Sequence, residues 1–231
     1  MNEEGAILSM IKALIFDFDG TIIDTETAWY IAFREAYMEY GVDLTRELYS
    51  QCIGTSLDGF NPYEYLITEK KLPIDQDSFR KSVDLRHTKL MELEKVRPGV
   101  LEYLEAAKDA GLRIGLASSS SMKWVGKYLD QLNIRHYFEC IRTSDHVTNV
   151  KPDPELYIQT LACLQVKADE AIAIEDSLHG ARAAASAGMH CVVTPNEITG
   201  FMEFDSVFHR ANSLSEVDFV QLINHTFNDK S

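Results

Sequence analysis

The chain has 231 residues, 45% of them hydrophobic and 25% charged, enough for one large or two modest domains with a substantial core. With 36 acidic residues against 22 basic ones it carries a formal net charge of −14 at pH 7. That balance argues against nucleic acid and anionic membrane as partners, and any anion site must gather its positive charge locally.

Cys52, Cys140, Cys163 and Cys191 are scattered without a C-x-x-C pair, so they read as reduced thiols of a cytoplasmic protein rather than as zinc ligands. Residues 1–9 are acidic and too short in apolar residues for a signal peptide, and Met10 offers a second start. No run approaches the roughly 20 apolar residues of a membrane span.

The first element is Ala13-Leu-Ile-Phe16, which runs into Asp17-Phe18-Asp19-Gly20-Thr21. A short apolar run closed in this way reads as a buried parallel strand ending in a sharp turn. Strand alternation would place Asp17 and Asp19 on one side, and Gly20 lets the backbone leave without a Cβ clash. In open α/β sheets the carboxyl ends of strands are where ligands bind. A lone Asp-x-Asp here is more readily a solvated turn, so later segments have to supply complementary groups.

Residues 26–40 read as a long helix stopped by Gly41, with Asp24 or Thr25 capping its first turn. The pattern then stays helical, polar and aromatic over 44–52, 63–70 and 77–93, with no segment that reads as a buried strand. About 70 helical residues between two α/β stretches point to an inserted domain. Arg97-Pro98-Gly99 marks the change back, and a helix over 100–110 has Pro98 near its start and Gly111 just past its end.

A strand over 113–117 leads into Ser118 to Ser121, followed by a helix over 122–132 and a short strand within 138–143. Asp153 as cap and Pro154 at the first position open the next helix. A strand over 171–174 ends in Glu175-Asp176, an alanine-rich helix over 180–187 is closed by Gly188, and 190–194 form a further strand. A weak strand at 206–208 and a helix at 216–227 complete the chain. Strands alternating with helices predict a doubly wound α/β fold, a parallel sheet with helices on both faces. Its core is split between 1–23 and 96–231, with 24–95 as the helical insert.

Three later strand ends or loops each carry one distinct polar group. Ser118 offers a hydroxyl and a backbone N–H, Lys151 lies on a loop stiffened by Pro152 and Pro154, and Glu175-Asp176 adds two carboxylates. Taken singly, a serine cluster reads as a helix cap, a loop lysine as solvated, and Glu-Asp as a helix entry. Taken together, four carboxylates at neighbouring strand ends would repel and raise each other's pKa. A hard divalent cation relieves this, and Mg²⁺ characteristically combines one or two carboxylates with water and a substrate phosphate. Aspartate can itself accept a phosphoryl group as nucleophile.

Asp17-Phe-Asp-Gly-Thr21, Ser118 after Leu-Ala, Lys151-Pro-Asp-Pro and Glu175-Asp176 resemble the four motifs of the haloacid dehalogenase superfamily, in order and over essentially the whole chain. The insert after the first motif is similar to the helical cap of the β-phosphoglucomutase and phosphoglycolate phosphatase group. The resemblance implies a Rossmann-like core with Asp17 as nucleophile and Asp19 as general acid and base. It places Ser118, Ser119, Gly20 and Lys151 at the substrate phosphate, with Lys151 also orienting Asp17. It assigns Mg²⁺ to Asp17, the backbone carbonyl of Asp19, and Asp176, with Glu175 in support.

Within that resemblance the residues discriminate among reactions. A carbon–halogen hydrolase needs neither a metal nor a general acid, and a phosphonate hydrolase lacks the second aspartate, so Asp19 disfavours both. In the mutase an arginine follows a Gly-x-Ser segment, whereas Leu57 follows Gly54-Thr55-Ser56 here, and Trp29 stands where the mutase has a histidine. Arg86 or Lys89 is left to grip a second phosphate. Trp29, Tyr30 and Phe33 read as core of the helical insert. The expectation is a phosphatase acting on a small phosphorylated metabolite, a sugar phosphate by family precedent. The alternatives are the mutase and a catalytically silent phosphate-binding module.

Overall fold

The computed structural model describes residues 10–52, 60–204 and 209–224. Six strands are described: β1 (Ala13–Phe16), β2 (Arg113–Ala117), β3 (Cys140–Arg142), β4 (Ala171–Glu175), β5 (His190–Val193) and β6 (His209–Arg210). They form one sheet in the order β3-β2-β1-β4-β5-β6 with every neighbouring pair parallel. The expected doubly wound α/β architecture is therefore present. β1 lies at the centre, with Phe16 level with Leu116 on one side and Ile174 on the other.

The helices, in chain order, begin with α1 (Thr25–Met38), α2 (Arg46–Tyr49), α3 (Tyr65–Thr68) and α4 (Gln76–Met91). They continue with α5 (Val100–Asp109), α6 (Met122–Gln131), α7 (Glu155–Leu164), α8 (Leu178–Ser186) and α9 (Phe219–Ile223). Strand alternation divides the core. Leu14, Phe16, Ile172 and Ile174 face a layer that includes Val100, Leu104, Val125 and Leu129 of α5 and α6. Ala13, Ile15, Ala171 and Ala173 face Leu156, Leu161, Ala181 and Ala184 of α7 and α8. Small residues on this second face let its helices lie close to the sheet.

Helices α1 to α4 have their own apolar cluster, built on Tyr30, Phe33, Tyr37, Leu66, Phe79 and Val83. The chain leaves the sheet layer after Ile23 and returns at Val96, and these two residues form an antiparallel bridge. Arg97 N–H donates to Ile22 carbonyl at 2.8 Å beside it.

Several boundaries differ from the sequence pattern. The 44–52 helix is one α turn at Arg46–Tyr49 followed by a tighter turn at Ser50–Cys52, and 63–70 shortens to Tyr65–Thr68. Pro154 rather than Asp153 is the N-cap of α7, and the Asp153 carboxylate accepts from Glu155 N–H at 3.0 Å. The strand expected at 206–208 falls on residues 205–208, outside the described residues, as does the expected helix beyond 224.

The expectation of four reduced cysteines is corrected for one pair. Cys140 at the start of β3 and Cys163 on α7 form a disulfide with Cα atoms 6.2 Å apart, while Cys52 and Cys191 are free. A separation of 23 residues signals no pairing by itself; the packing of α7 against the sheet brings the sulfurs together. The cysteines accordingly give no argument for a reducing compartment. Among the described residues no helix is long and apolar enough to cross a membrane.

Candidate active site

The adjacency of β1 and β4 builds the acidic centre. Asp17 N–H donates to Ile174 carbonyl at 2.9 Å, extending the ladder one residue past β1 and setting Asp17 beside Glu175 and Asp176. One carboxylate oxygen from each of Asp17, Glu175 and Asp176 lies within 4.8 Å of the others, and all three residues are buried. Lys151 reaches into this cluster from the loop before α7, where the Lys151–Pro152 peptide is cis. Its Nζ donates to Asp17 Oδ1 at 2.5 Å and to Glu175 Oε1 at 2.6 Å.

Glu175, fully buried, is committed on both oxygens. Tyr157 hydroxyl donates to Oε1 at 2.6 Å, and Ser177 hydroxyl and Asp176 N–H each approach Oε2 at 3.3 Å. It thus anchors Lys151 from behind. Asp176 accepts on Oδ2 from Asn196 Nδ2 at 3.0 Å and Thr199 hydroxyl at 3.3 Å, and on Oδ1 from Thr21 hydroxyl at 3.4 Å. Gly20, at φ +79°, passes so close that a Cβ there would lie 2.2 Å from Asp176 Oδ2. The Arg97 guanidinium, beneath the site, donates to the Gly20 carbonyl and at 2.9 Å to that of Thr194.

Asp19 is held differently. Its Oδ2 accepts from Ser120 hydroxyl at 2.7 Å and from Ser118 hydroxyl at 3.4 Å, and its Oδ1 accepts from Trp124 Nε1 at 2.8 Å. Ser120 and Trp124 do not stand out in the sequence. The hydroxyl run 118–121 is visible there, but a tryptophan on an amphipathic helix signals only core.

Electrostatics follow from crowding without water. Burial, then Glu175, raises Asp17 to about 7, against the lowering pull of Lys151. Asp176 is raised well above the ordinary carboxylate range by burial and then by Asp17 and Glu175. Asp19 is also raised by burial, opposed by the hydrogen bonds from Ser120 and Trp124. Lys151 is lowered by burial but raised on balance by Asp17 and Glu175, so it stays cationic. The donor set is all oxygen and carries more negative charge than one lysine offsets, which fits a hard divalent cation.

A cavity of about 670 Å³ opens above, with Asp17, Asp19, Lys151 and Asp176 lining it together with Glu26 and Trp29 of α1. Glu26, a further residue the motifs do not single out, is pushed up to about 8 by burial and then by Asp19, Asp24 and Asp17. Ser119 lines the cavity and is exposed, whereas Ser118 is fully buried and its N–H donates to Arg142 carbonyl at 2.9 Å. The N–H that Ser118 offered in the sequence is therefore used by the sheet. Gly20 N–H is likewise used, donating to Ile23 carbonyl at 2.7 Å.

Tyr30 and Phe33 are core of the helical layer, but Trp29 is only partly buried and forms cavity wall, which corrects its expected core placement. Arg86 is engaged by Glu39 and, at 3.8 Å, by Glu35. The Gly54-to-Leu57 segment lies outside the described residues.

Comparison with known proteins finds that the family model of haloacid dehalogenase-like hydrolases matches residues 14–194. The YhcW protein of Bacillus subtilis is 46% identical over 216 residues, covering 94% of this chain and 98% of its own. The phosphorylated carbohydrates phosphatase of Thermotoga maritima is 33% identical over 180 residues, covering 78% and 82%. Among solved structures, that of CbbY from Rhodobacter sphaeroides in complex with phosphate is 32% identical with a TM-score of 0.69, covering 90% of this chain and 96% of that one.

Proposed function

The chain belongs to the haloacid dehalogenase-like hydrolase family, and on that premise we propose that it is a Mg²⁺-dependent phosphatase. Its proposed substrate is a small phosphorylated metabolite of the sugar-phosphate class, hydrolysed through an aspartyl phosphate. The observation that carries this reading is the meeting of Asp17 and Asp176 at adjacent strand ends, with Lys151 reaching Asp17 from the loop before α7. The carbohydrate phosphatase among the relatives supports the substrate class.

In this reading a carboxylate oxygen of Asp17 attacks phosphorus while the ester P–O bond breaks, and the Asp19 carboxyl gives its proton to the departing oxygen. A water molecule then passes a proton back to Asp19 and attacks the same phosphorus. The Asp17–phosphate bond breaks and inorganic phosphate leaves. Lys151 occupies Asp17 Oδ1 and so fixes which way the nucleophile faces. Asp17, Asp176 and the Asp19 carbonyl would hold Mg²⁺, which when bound offsets charge on the phosphoryl oxygens. Glu175 supports that set by holding Lys151.

Residues 24–95 act in this reading as a helical cap over a core of 1–23 and 96–231. Closure of the cap places Glu26 and Trp29 above the phosphate and excludes water until substrate is seated.

The mutase alternative needs a cation for a second phosphate. Among the described cavity-lining residues Lys151 is the one lysine or arginine, and it is already paired. Residues 53–59 contain neither lysine nor arginine, and His179 is lowered by burial, which favours its neutral form. These observations favour hydrolysis over the mutase reaction. The silent-module alternative is disfavoured because both Asp17 and Asp19 are present.

The test is a panel of sugar phosphates with Mg²⁺, assayed for free phosphate and isomer conversion in parallel. Phosphate release is expected, and Asp17→Asn should abolish it because an amide is a poor nucleophile. Glucose 1-phosphate turning into glucose 6-phosphate without phosphate release restores the mutase. Wild-type turnover by Asp17→Asn rejects the assigned nucleophile.

A further inference from the structure

Trp124 occupies a position that the hydrolytic mechanism as outlined does not use. Its Nε1–H donates to Asp19 Oδ1 at 2.8 Å while Ser120 hydroxyl takes Oδ2 at 2.7 Å. An indole N–H is a donor with no acceptor function, so it has one task here, to meet that oxygen. With a donor on each oxygen, the carboxyl plane of Asp19 cannot turn without breaking a hydrogen bond.

The indole is itself held in place. Tyr128 meets it edge-on, with centroids 4.7 Å apart, and His87 of α4 lies nearly parallel to it at 5.7 Å and 15°. His87 in turn stacks on Trp29 of α1 at 3.5 Å and 6°. His87 is 3% exposed and its Nε2 has no hydrogen-bond partner. Placed between the two indoles, the imidazole meets both neighbours with its flat face. Three rings from α1, α4 and α6 thus form a ladder that runs from the helical layer to the carboxyl of Asp19. Trp29 and Trp124 at its two ends both line the cavity.

We propose that Trp124 is a positioning residue for the general acid and base: its N–H fixes the Asp19 carboxyl, and the Trp29–His87 stack fixes the indole in the seated arrangement of the helical layer. The proposal rests on the phosphatase reading. It concerns the step in which the Asp19 proton goes to the ester oxygen as the P–O bond breaks and Asp17 gains the phosphoryl group. Loss of the indole N–H therefore affects esters according to how much their leaving oxygen needs that proton.

The experiment compares phenyl phosphate with p-nitrophenyl phosphate, which have closely similar shapes but differ in that p-nitrophenolate departs without a proton. Leaving-group release is followed over the first turnover, before hydrolysis of the phosphoenzyme, in wild type and in Trp124→Phe, which keeps a ring in the ladder. Phenol release is expected to fall by roughly tenfold or more, and p-nitrophenol release by less than about threefold, with KM unchanged within about twofold for both. Ser120→Ala, a small change that removes the shorter hydrogen bond to Oδ2 and leaves that of Ser118, is expected to show the same selectivity, and it decides whether the clamp on the Asp19 carboxyl matters if Trp124→Phe does not fold.

Equal losses on both esters, or no loss on either, overturn the proposal and leave the phosphatase reading standing. A wild-type protein inert toward both esters and the whole sugar-phosphate panel overturns that reading and this inference with it.

Discussion

Gly20 makes the demands on single residues concrete. Its φ of +79° lies where L side chains are strained, and an added Cβ would sit 2.2 Å from Asp176 Oδ2. The Asp176 carboxylate cannot swing aside freely, since Asn196 and Thr199 hold the same oxygen. Gly20→Ala is therefore expected to cost about 1–3 kcal/mol of stability. It should also lower phosphate release by on the order of 100-fold, because the displaced carboxylate belongs to the cluster that positions substrate. Urea unfolding and a phosphate assay read the two effects separately; turnover near that of wild type would mean that Asp176 need not stay where it is. Gly180 stands in the same relation to Glu175, since a Cβ added there would lie only 1.9 Å from its carboxyl oxygen Oε1. These two glycines are readable in the sequence as turn and helix residues, but the carboxylates they make room for are not.

For helices α1, α4 and α6, the aromatic ladder carries a pH-dependent cost. Burial, with a smaller contribution from Lys127, lowers His87 from its ordinary 6.5 to about 4. The unfolded chain therefore binds a proton in the interval between these values that the folded chain does not. The stability contributed by a neutral His87 is complete above about pH 6.5 and is lost as pH falls toward 4, reaching about 3 kcal/mol. His87→Phe keeps a stacking ring and removes the titration. Between pH 7 and pH 5 its unfolding free energy relative to wild type should rise by about 2 kcal/mol. Asp17 and Glu26, raised in the folded state, act in the opposite sense and cancel in that difference. A difference that stays flat with pH would rule out this cost. The helices themselves were legible from their spacing and punctuation; the stack was not, since Trp29 read as core and nothing in the sequence tied it to His87, 58 residues away, or to Trp124.

Taken as a whole, the molecule is an acidic chain whose buried carboxylates converge on the carboxyl end of one sheet. If Mg²⁺ binds there in the folded state alone, saturating it at about 100 times Kd stabilises the fold by about 2.7 kcal/mol. The thermal unfolding midpoint should rise with Mg²⁺, and EDTA should stop phosphate release. Asp176→Asn should blunt both responses, and a midpoint indifferent to Mg²⁺ would argue against a cation at this cluster. The order of strands and helices through β5, the strand-end turn at Asp17 to Thr21 and the helical character of α1 to α4 were determined by the sequence alone, because periodicity, glycine punctuation and proline placement act over a few residues. The motif residues could be named, but their working contacts could not. That Glu175 anchors Lys151, that the Ser118 N–H belongs to the ladder, that Cys140 meets Cys163 and that Trp124 grips Asp19 from 105 residues away were decided only by the tertiary structure. Such contacts depend on how twisted layers pack against one another, and no local spacing encodes that.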